Sequence, residues 1–225
     1  MKKITILLVD DHAVLRQGLR ALLSIEPDLE VVGEAENGRM AVQMAKKLTP
    51  DVIVMDIAMP QLNGHEATHQ ICKEAPNSKV LILSCYGDDE YVHKLTEAGA
   101  VGYLIKDTVA SDLVKAIHEA YKGNAYFSPP IAKRLLDRYR ETFIRGGKPL
   151  NMKPSVRLTS REQEVLQLVS EGKGNKQIAS DLCISIKTVE KHRQQVMNKL
   201  NIHDVAGLTR YAITQGVIEM APRLV

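Results

Sequence analysis

"DVIVMDIAMP", residues 51–60, decides the fold, because four apolar residues run directly into Asp56. The run Val52–Met55 is short, rich in β-branched side chains and bounded by turn formers, so it predicts a buried strand. A carboxylate at the mouth of a core strand is costly to desolvate unless something compensates its charge. The stretch therefore predicts a strand whose carboxyl end carries a functional aspartate.

The same kind of run recurs along the first 122 residues and alternates with amphipathic stretches of helical spacing. Such alternation predicts a parallel sheet with helices on both faces, and we expect a flavodoxin-like α/β sheet of five strands. An order of 2-1-3-4-5 would make strands one and three neighbours. The predicted strands are residues 4–9, 30–35, 52–55, 79–83 and 102–105.

Polar residues stand at the carboxyl ends of four of these strands, where parallel sheets collect functional groups. Asp10 and Asp11 follow strand one, Asp56 follows strand three, Ser84 follows strand four and Lys106 follows strand five. Singly, each has an ordinary alternative: either early aspartate could cap a helix, the lysine could be a solvated loop charge and the serine a turn residue. Together, three carboxylates repel by about 4 kcal/mol per pair at 4 Å and an effective dielectric near 20, so they need a cation. Hard oxygen ligands suit Mg²⁺.

Length and composition set the class of protein. The 225 residues are 44% hydrophobic and 25% charged, which fits two modest globular domains. No apolar run approaches the roughly 20 residues of a membrane span, and no signal peptide is evident, so we expect a cytoplasmic protein without a membrane partner. Cys72, Cys85 and Cys183 are scattered without CxxC pairing, so we expect reduced filler residues and no zinc site.

Charge is distributed unevenly along the chain. Residues 1–130 hold 13 Lys/Arg against 18 Asp/Glu, whereas residues 151–225 hold 11 against 7. A basic C-terminal part suggests an anionic partner such as nucleic acid, although this excess is weak evidence by itself. Between the two parts, "IAKRLLDRYRETFI" predicts a connector helix and "RGGKPLNMKPSV" predicts a linker.

The C-terminal part predicts four short helices. A short second helix, a tight turn and a longer third helix follow one another in the helix-turn-helix order. Projection of the third helix places Val189, Val196 and Leu200 on its core side, flanked by Ile186 and Met197. A polar stripe lies opposite, and it is either a solvated face or a surface that reads a DNA groove. The stripe consists of Lys187, Glu190, Lys191, Gln194 and Asn198.

The stretches "LLVDDH", "VIVMDIAMPQLNG", "LILSCY" and "GYLIKD" resemble the receiver domain of two-component response regulators, over residues 4 to about 122. The resemblance implies that Asp56 accepts a phosphoryl group from a histidine kinase, and that Lys106 pairs with the phosphoryl oxygens. Ser84 would be drawn toward the phosphoryl group, and Tyr103 would then turn inward. The implied Mg²⁺ ligands are Asp10 largely through water, Asp11, Asp56 and the carbonyl of Ala58.

Two departures from many receivers concern the loops around this site. Asp107, not proline, follows Lys106, as in the NarL/FixJ branch. Ala58 cannot orient a hydrolytic water, and Tyr86 could obstruct one, so we expect slow loss of the phosphoryl group.

The stretches "LTSREQEVL", "GKGNKQIA" and "ISIKTVEKH" are similar to the LuxR-type DNA-binding domain of NarL/FixJ regulators. The similarity implies that Lys187, Glu190, Lys191 and Gln194 face the major groove of double-stranded DNA. It implies phosphate contacts by Asn175, Lys176, Thr188 and Arg193, and a dimer interface on the helix from Asp204 to Gln215. Glu190 stands where lysine is common, so base preference cannot be transferred there.

Together the resemblances imply a NarL/FixJ-type response regulator, a transcription factor that is not an enzyme and whose dimerisation or domain release is controlled by phosphorylation of Asp56. We expect a receiver at 1–124, a connector helix and linker at 125–154, and an all-α DNA-binding domain at 155–225. The alternative is an aspartyl-phosphate hydrolase of the haloacid-dehalogenase type, but that class needs a second aspartate two residues after the nucleophile, where Ala58 stands. A vestigial receiver is a second alternative, against which the complete acidic set argues.

Overall fold

A computed structural model of the protein describes residues 2–85, 89–107, 110–144 and 158–218. The chain divides into two compact units, and each is described by itself. The first unit alternates strands and helices as the sequence predicts. Its elements are β1 (Ile4–Val9), α1 (Ala13–Ser24), β2 (Leu29–Ala35), α2 (Gly38–Leu48), β3 (Val52–Met55), α3 (Gly64–Glu74), β4 (Lys79–Ser84), α4 (Asp89–Ala98), β5 (Gly102–Ile105), α5 (Ala110–Tyr121), β6 (Tyr126–Phe127) and α6 (Pro129–Ile144).

The strands form one parallel sheet in the order β2-β1-β3-β4-β5-β6. The predicted order of the first five strands is confirmed, but the predicted count of five is wrong. β6 adds a sixth strand, in which Tyr126 and Phe127 pair with Gly102 and Tyr103 of β5. A strand of two residues is too short to show an alternating pattern, so the pattern of apolar residues could not predict it.

The sheet is buried on both faces, which explains why its strands are nearly continuous apolar runs. Ile6 and Leu8 of β1, Val54 of β3 and Leu81 of β4 face one layer of helices. That layer comes from α1 and α5, and its fully covered side chains are Leu23, Leu113, Ala116, Ile117 and Ala120. The core thus fixes the central strands, and with them the loops at their carboxyl ends.

The described part of the second unit, residues 158–218, contains four helices: α7 (Ser160–Ser170), α8 (Asn175–Asp181), α9 (Ile186–Leu200) and α10 (Val205–Thr214). A capping box begins α7, because Thr159 accepts a hydrogen bond from the Glu162 N–H and Glu162 accepts one from the Thr159 N–H. The buried core joins all four helices and includes Val165, Leu168, Ile178, Val189, Val196 and Leu208.

Two predictions about apolar residues need correction. Ile186 is 46% exposed and does not belong to the core. It is the first residue of α9, and side chains tilt toward the N-terminus of a helix, so it extends past the packed turns. All three cysteines are free, but Cys85 and Cys183 are exposed and do not fill the interior. None of the helices in the described part of the chain combines the length and apolar character needed to span a bilayer.

Candidate functional site

Two carboxylates meet at the carboxyl ends of β1 and β3, which are adjacent in the sheet. Val9 pairs with Met55, so Asp10 and Asp56 leave the sheet side by side. Both are almost fully buried, with 2% and 5% of their surface exposed. Backbone hydrogen bonds hold both residues: the Asp56 N–H donates to the Val9 carbonyl, and the Asp10 N–H donates to the Ala35 carbonyl. The fold therefore places two negative charges together in a desolvated position.

Lys106 supplies the positive charge that this pair requires. Its Nζ lies 2.7 Å from Asp10 Oδ2 and 2.8 Å from Asp56 Oδ2. Its own N–H donates to the carbonyl of Ser84, which fixes the end of β5 to the end of β4. Only 12% of the Lys106 side chain is exposed. The alternative of a solvated loop charge is therefore wrong.

The electrostatics of the site follow from burial. Burial raises the pKa of Asp56 to about 6, and the charge of Asp10 adds to the rise, while Lys106 and the Ile57 N–H oppose it. Burial alone would lower the pKa of Lys106, but hydrogen bonds to Asp10 and Asp56 outweigh it and raise that pKa above its ordinary value. The Asp56 carboxyl is thus poised to ionise near neutral pH, beside a fixed ammonium group.

Asp11 and His12 complete the cluster on its solvent side. His12 Nδ1 lies 2.9 Å from Asp11 Oδ1 and 3.2 Å from Asp10 Oδ1. One ligand atom from each of Asp10, Asp11, His12 and Asp56 falls within 4.8 Å of the others. Sequence reasoning missed His12, although its place directly after the acidic pair was a usable signal.

Neither early aspartate caps α1. The N-cap residue is His12, which makes no side-chain capping hydrogen bond. Asp10 Oδ1 instead accepts a hydrogen bond from the His12 N–H at 2.8 Å, which folds the loop back over the site. The capping alternative for Asp10 and Asp11 is therefore wrong, and their carboxylates remain with the cluster.

Arg16 is a second residue that sequence reasoning missed. Its Nη1 donates to the main-chain carbonyl of Asp10 at 2.6 Å, and its Nε lies 3.6 Å from Glu34 Oε2. The guanidinium group is largely buried beneath the loop between β1 and α1. Arg16 therefore restrains the loop that carries the acidic residues, and a basic residue in the second turn of the following helix was the available signal.

The remaining predicted residues of this site lie around the same edge of the sheet. Ser84 is fully buried at the end of β4, and Ala58 is half-buried in the loop after Asp56. Tyr103 is already buried, with 1% of its surface exposed, so the predicted inward turn is not needed to place it there. Tyr86 lies outside the described residues.

In the second unit, α8, a tight turn and α9 form the predicted helix-turn-helix arrangement. The turn contains Cys183 with φ of +51°, in the left-handed region. Ser185 begins α9 as its N-cap, and its side chain accepts a hydrogen bond from the Thr188 N–H. Val189 and Val196 are buried against the core, so the opposite side of α9 faces outward.

The predicted DNA-contacting residues differ in how free they are. Arg193 is half-buried, and its Nη1 donates to Asn175 Oδ1, so it ties α9 to α8. The Thr188 hydroxyl lies 2.8 Å from the hydroxyl of Ser185, so Thr188 already has a hydrogen-bond partner in the N-cap of α9. The exposed members of the predicted set are Lys176, Lys187, Glu190, Lys191 and Gln194.

Comparison with known proteins agrees with this division. Residues 6–118 match the response regulator receiver domain family, and residues 156–212 match the bacterial regulatory proteins of the luxR family. The chain is 42% identical to the transcriptional regulatory protein LiaR of Bacillus subtilis, over 93% of this chain and 96% of LiaR. The chain belongs to the NarL/FixJ family of two-component response regulators.

Other response regulators show the same extent of similarity. The oxygen regulatory protein NreC of Staphylococcus carnosus is 36% identical over 95% of this chain and 99% of NreC. The response regulator ChrA of a heme-sensing two-component system is 33% identical, with a TM-score of 0.52, over 97% of this chain and all of ChrA. RcsB of Salmonella typhimurium is 26% identical, with a TM-score of 0.59, over 96% of this chain and 99% of that structure.

Membership of this family favours one of the functions considered above. The response regulator carries a receiver and a LuxR-type helix-turn-helix domain, and its relatives are transcriptional regulatory proteins. The haloacid-dehalogenase alternative has no support from these matches. The chain is a DNA-binding transcription regulator of the two-component type.

Proposed function

We propose that Asp56 is the phosphoacceptor of this response regulator, and that a histidine kinase phosphorylates it to control DNA binding by a homodimer. The observation that supports this proposal most strongly is the contact between Asp56 and Lys106. It lies beside Asp10 at the end of β3, where both aspartates are almost fully buried. We assign the receiver to residues 1–124, the connector helix and linker to 125–154 and the DNA-binding domain to 155–225. The regulator would act in the cytoplasm, where its kinase and DNA are accessible.

Asp56 is held in a position suited to nucleophilic attack. Its Oδ1 accepts a hydrogen bond from the Ile57 N–H at 2.8 Å, and its Oδ2 accepts one from Lys106. Phosphoryl transfer needs mostly positioning and charge neutralisation, and a carboxylate attacks phosphorus with little further activation. Lys106 would neutralise charge on the phosphoryl oxygens. Its ammonium group would then divide its contacts among the phosphoryl group, Asp10 and Asp56.

The acidic cluster fits Mg²⁺. Three carboxylates supply hard oxygen ligands within a few ångströms, which is the donor set that this ion prefers. Asp11, Asp56 and the Ala58 carbonyl would hold the ion, with Asp10 acting largely through water. Bound there, Mg²⁺ would neutralise charge on the phosphoryl group as it is transferred. The imidazole of His12 is a poorer ligand for a hard ion, so we assign it no contact with Mg²⁺.

Ser84 would carry the change away from the phosphorylation site. A phosphoryl group adds negative charge and strong hydrogen-bond acceptors next to Asp56. The hydroxyl of Ser84 lies at the end of the neighbouring strand, and the Ser84 carbonyl is already bonded to the Lys106 N–H. A displacement of Ser84 would therefore move the ends of β4 and β5 together. Tyr103, one strand further along, is the second residue that we assign to this switch.

Recognition of DNA would use the exposed side of α9. Lys187, Glu190, Lys191 and Gln194 would face the major groove, and Lys176 at the start of α8 would contact a phosphate. Thr188 and Arg193 would add phosphate contacts, although both already have partners within the domain. The helix from Asp204 to Gln215 would form the dimer interface.

The proposal is tested by measuring DNA binding before and after treatment with acetyl phosphate and Mg²⁺. A duplex selected from genomic fragments would be titrated with the full-length protein and with Asp56→Asn. We expect treatment to tighten binding of the wild type, to convert it to a dimer on the duplex and to leave Asp56→Asn unchanged. Equal responses of both proteins would contradict the proposal.

A further inference from the structure

We infer that Glu190 reads a cytosine in the major groove and sets base preference at one position of each half-site. The inference rests on the proposed function, because it concerns the same DNA-facing side of α9. It goes further by naming the base that one side chain selects. The relevant observation is that an acidic residue stands, unpaired, in the middle of a stripe that is otherwise basic or neutral.

The polar side chains of α9 fall into two groups. Thr188, Arg193 and Gln194 are engaged within the domain, bonded to Ser185, Asn175 and Asn198 respectively. Lys187, Glu190 and Lys191 are exposed and form no hydrogen bond or ion pair with any residue that the structure describes. Glu190 therefore stays unpaired although Lys187 lies three positions before it on the same face.

An unpaired carboxylate is an unusual choice for a surface that approaches DNA. The phosphate backbone repels it, so it weakens the electrostatic part of binding wherever no donor meets it. A base that presents only a hydrogen-bond donor to the Glu190 carboxylate in the major groove would offset this repulsion from the phosphates. Glu190 therefore acts in two ways: it accepts a hydrogen bond from the correct base, and it repels bases that present acceptors.

The pattern of groups in the major groove selects cytosine. Guanine presents two acceptors and thymine presents one acceptor with a methyl group, so both oppose a carboxylate. Adenine has a donor, but its N7 acceptor lies beside it. Cytosine offers its N4 amino group without an adjacent acceptor of its own. The guanine paired with it carries acceptors, which Lys187 or Lys191 can meet from either side of Glu190.

The test is selection of binding sites from a randomised duplex pool by the full-length protein, treated with acetyl phosphate and Mg²⁺, with three variants. Glu190→Ala removes the acceptor, and Glu190→Gln replaces it with a group that pairs with adenine. Glu30→Gln is the matched control, because it removes one negative charge from an exposed, unpaired glutamate of β2 in the other unit. We expect cytosine at one position of each half-site for the wild type and for Glu30→Gln. Glu190→Ala should lose preference at that position alone, and Glu190→Gln should prefer adenine there.

A second measurement removes the interacting group from the DNA. Replacing the selected cytosine by pyrimidin-2-one, which lacks the N4 amino group, should weaken wild-type binding by about fivefold or more. The same replacement should leave binding by Glu190→Ala unchanged. Identical selected sites for all proteins, or a selected base other than cytosine, would overturn the inference while leaving the proposed function standing. If no protein selects any sequence, the inference and the DNA-binding part of the proposed function fail together.

Discussion

Gly64 lies so close to Asp56 that a Cβ atom on Gly64 would stand 2.1 Å from the Asp56 carbonyl oxygen. Gly64 begins α3, and its N–H donates to the Ile57 carbonyl at 2.7 Å. The start of this helix is thus packed directly against the backbone of the phosphoacceptor loop. A glycine is required here because of the close approach of two backbones.

Replacement of Gly64 by alanine should therefore destabilise the receiver and slow its phosphorylation. The added methyl group meets backbone, which cannot move aside as a flexible side chain can, so we expect a loss of about 3 kcal/mol. Gly18→Ala is the matched control, because nothing lies within 4 Å of its Cβ position in α1. That change should be neutral or stabilise by up to about 1 kcal/mol. Unfolding in urea measures the free energy of unfolding of both variants. Equal changes for Gly64→Ala and Gly18→Ala would contradict the packing argument.

Asp56 should make the stability of the receiver depend on pH in an unusual direction. Its folded pKa of about 6 is above its unfolded value of 3.8, so the protonated form is favoured in the folded state. The stability that the protonated Asp56 contributes to the folded state is fully present below the unfolded pKa, and it is lost as pH rises through about 6. Asp56→Asn stays neutral, so without divalent ions it should be more stable than wild type at about pH 8, by up to about 3 kcal/mol.

Calorimetry of the receiver transition measures this difference, which should vanish as the pH falls toward about 4. Asp28 is the control, because its pKa is shifted in the opposite direction to that of Asp56. Its hydrogen bond with His118 lowers its pKa, so stability from Asp28 is present at neutral pH and is lost as the pH falls. Asp28→Asn should therefore be less stable than wild type at neutral pH. An Asp56→Asn variant that is less stable than wild type at high pH would refute the electrostatic account.

Ala58 and Tyr86 should lengthen the life of the phosphorylated state. Ala58 cannot orient a water for attack on the phosphoryl group, and the predicted effect of Tyr86 is to block access. The double change Ala58→Asn with Tyr86→Ser should speed loss of the phosphoryl group by roughly tenfold or more. The measurement is the decay of phosphorylated protein after removal of acetyl phosphate. Unchanged decay would rule this explanation out.

Lys191 and Lys176 should differ in the kind of DNA contact that they make. Lys191 lies in the middle of the stripe on α9, where it can reach a base acceptor, so Lys191→Ala should cost about 1 to 3 kcal/mol on the selected site only. Lys176, on α8, should contact the backbone. Lys176→Ala should weaken specific and non-specific binding alike and lower the salt slope by about one unit. Titrations against selected and scrambled duplexes at several salt concentrations separate the two, and equal losses for Lys191→Ala would contradict base reading.

The sequence predicted what depends on local pattern. Runs such as residues 52–55 predicted the strands, and because the ends of parallel strands share one edge, they also predicted that Asp10, Asp56 and Lys106 would meet. What it did not predict depends on packing between elements. β6 pairs with the outer edge of β5, and Arg16 contacts the site through the Asp10 carbonyl in the loop after β1.

Errors of the helix projection have a similar cause. A helical projection shows how residues are arranged around the helix axis. It does not show where along that axis the helix begins to pack against the core. Val189 and Val196 lie within that region and are buried, whereas Ile186 lies at its end and is exposed. The contact of Arg193 with Asn175 likewise depends on packing between two helices, which the pattern of a single helix does not show.

Chemical trapping of the phosphorylated residue tests the central claim most directly. Full-length protein treated with acetyl phosphate and Mg²⁺ would be reduced with borohydride, which converts an aspartyl phosphate to homoserine, and then mapped by peptide mass. The account predicts homoserine at position 56 in the wild type and none in the same peptide of Asp56→Asn. Homoserine at Asp10 or Asp11, or wild-type labelling of Asp56→Asn, would contradict it.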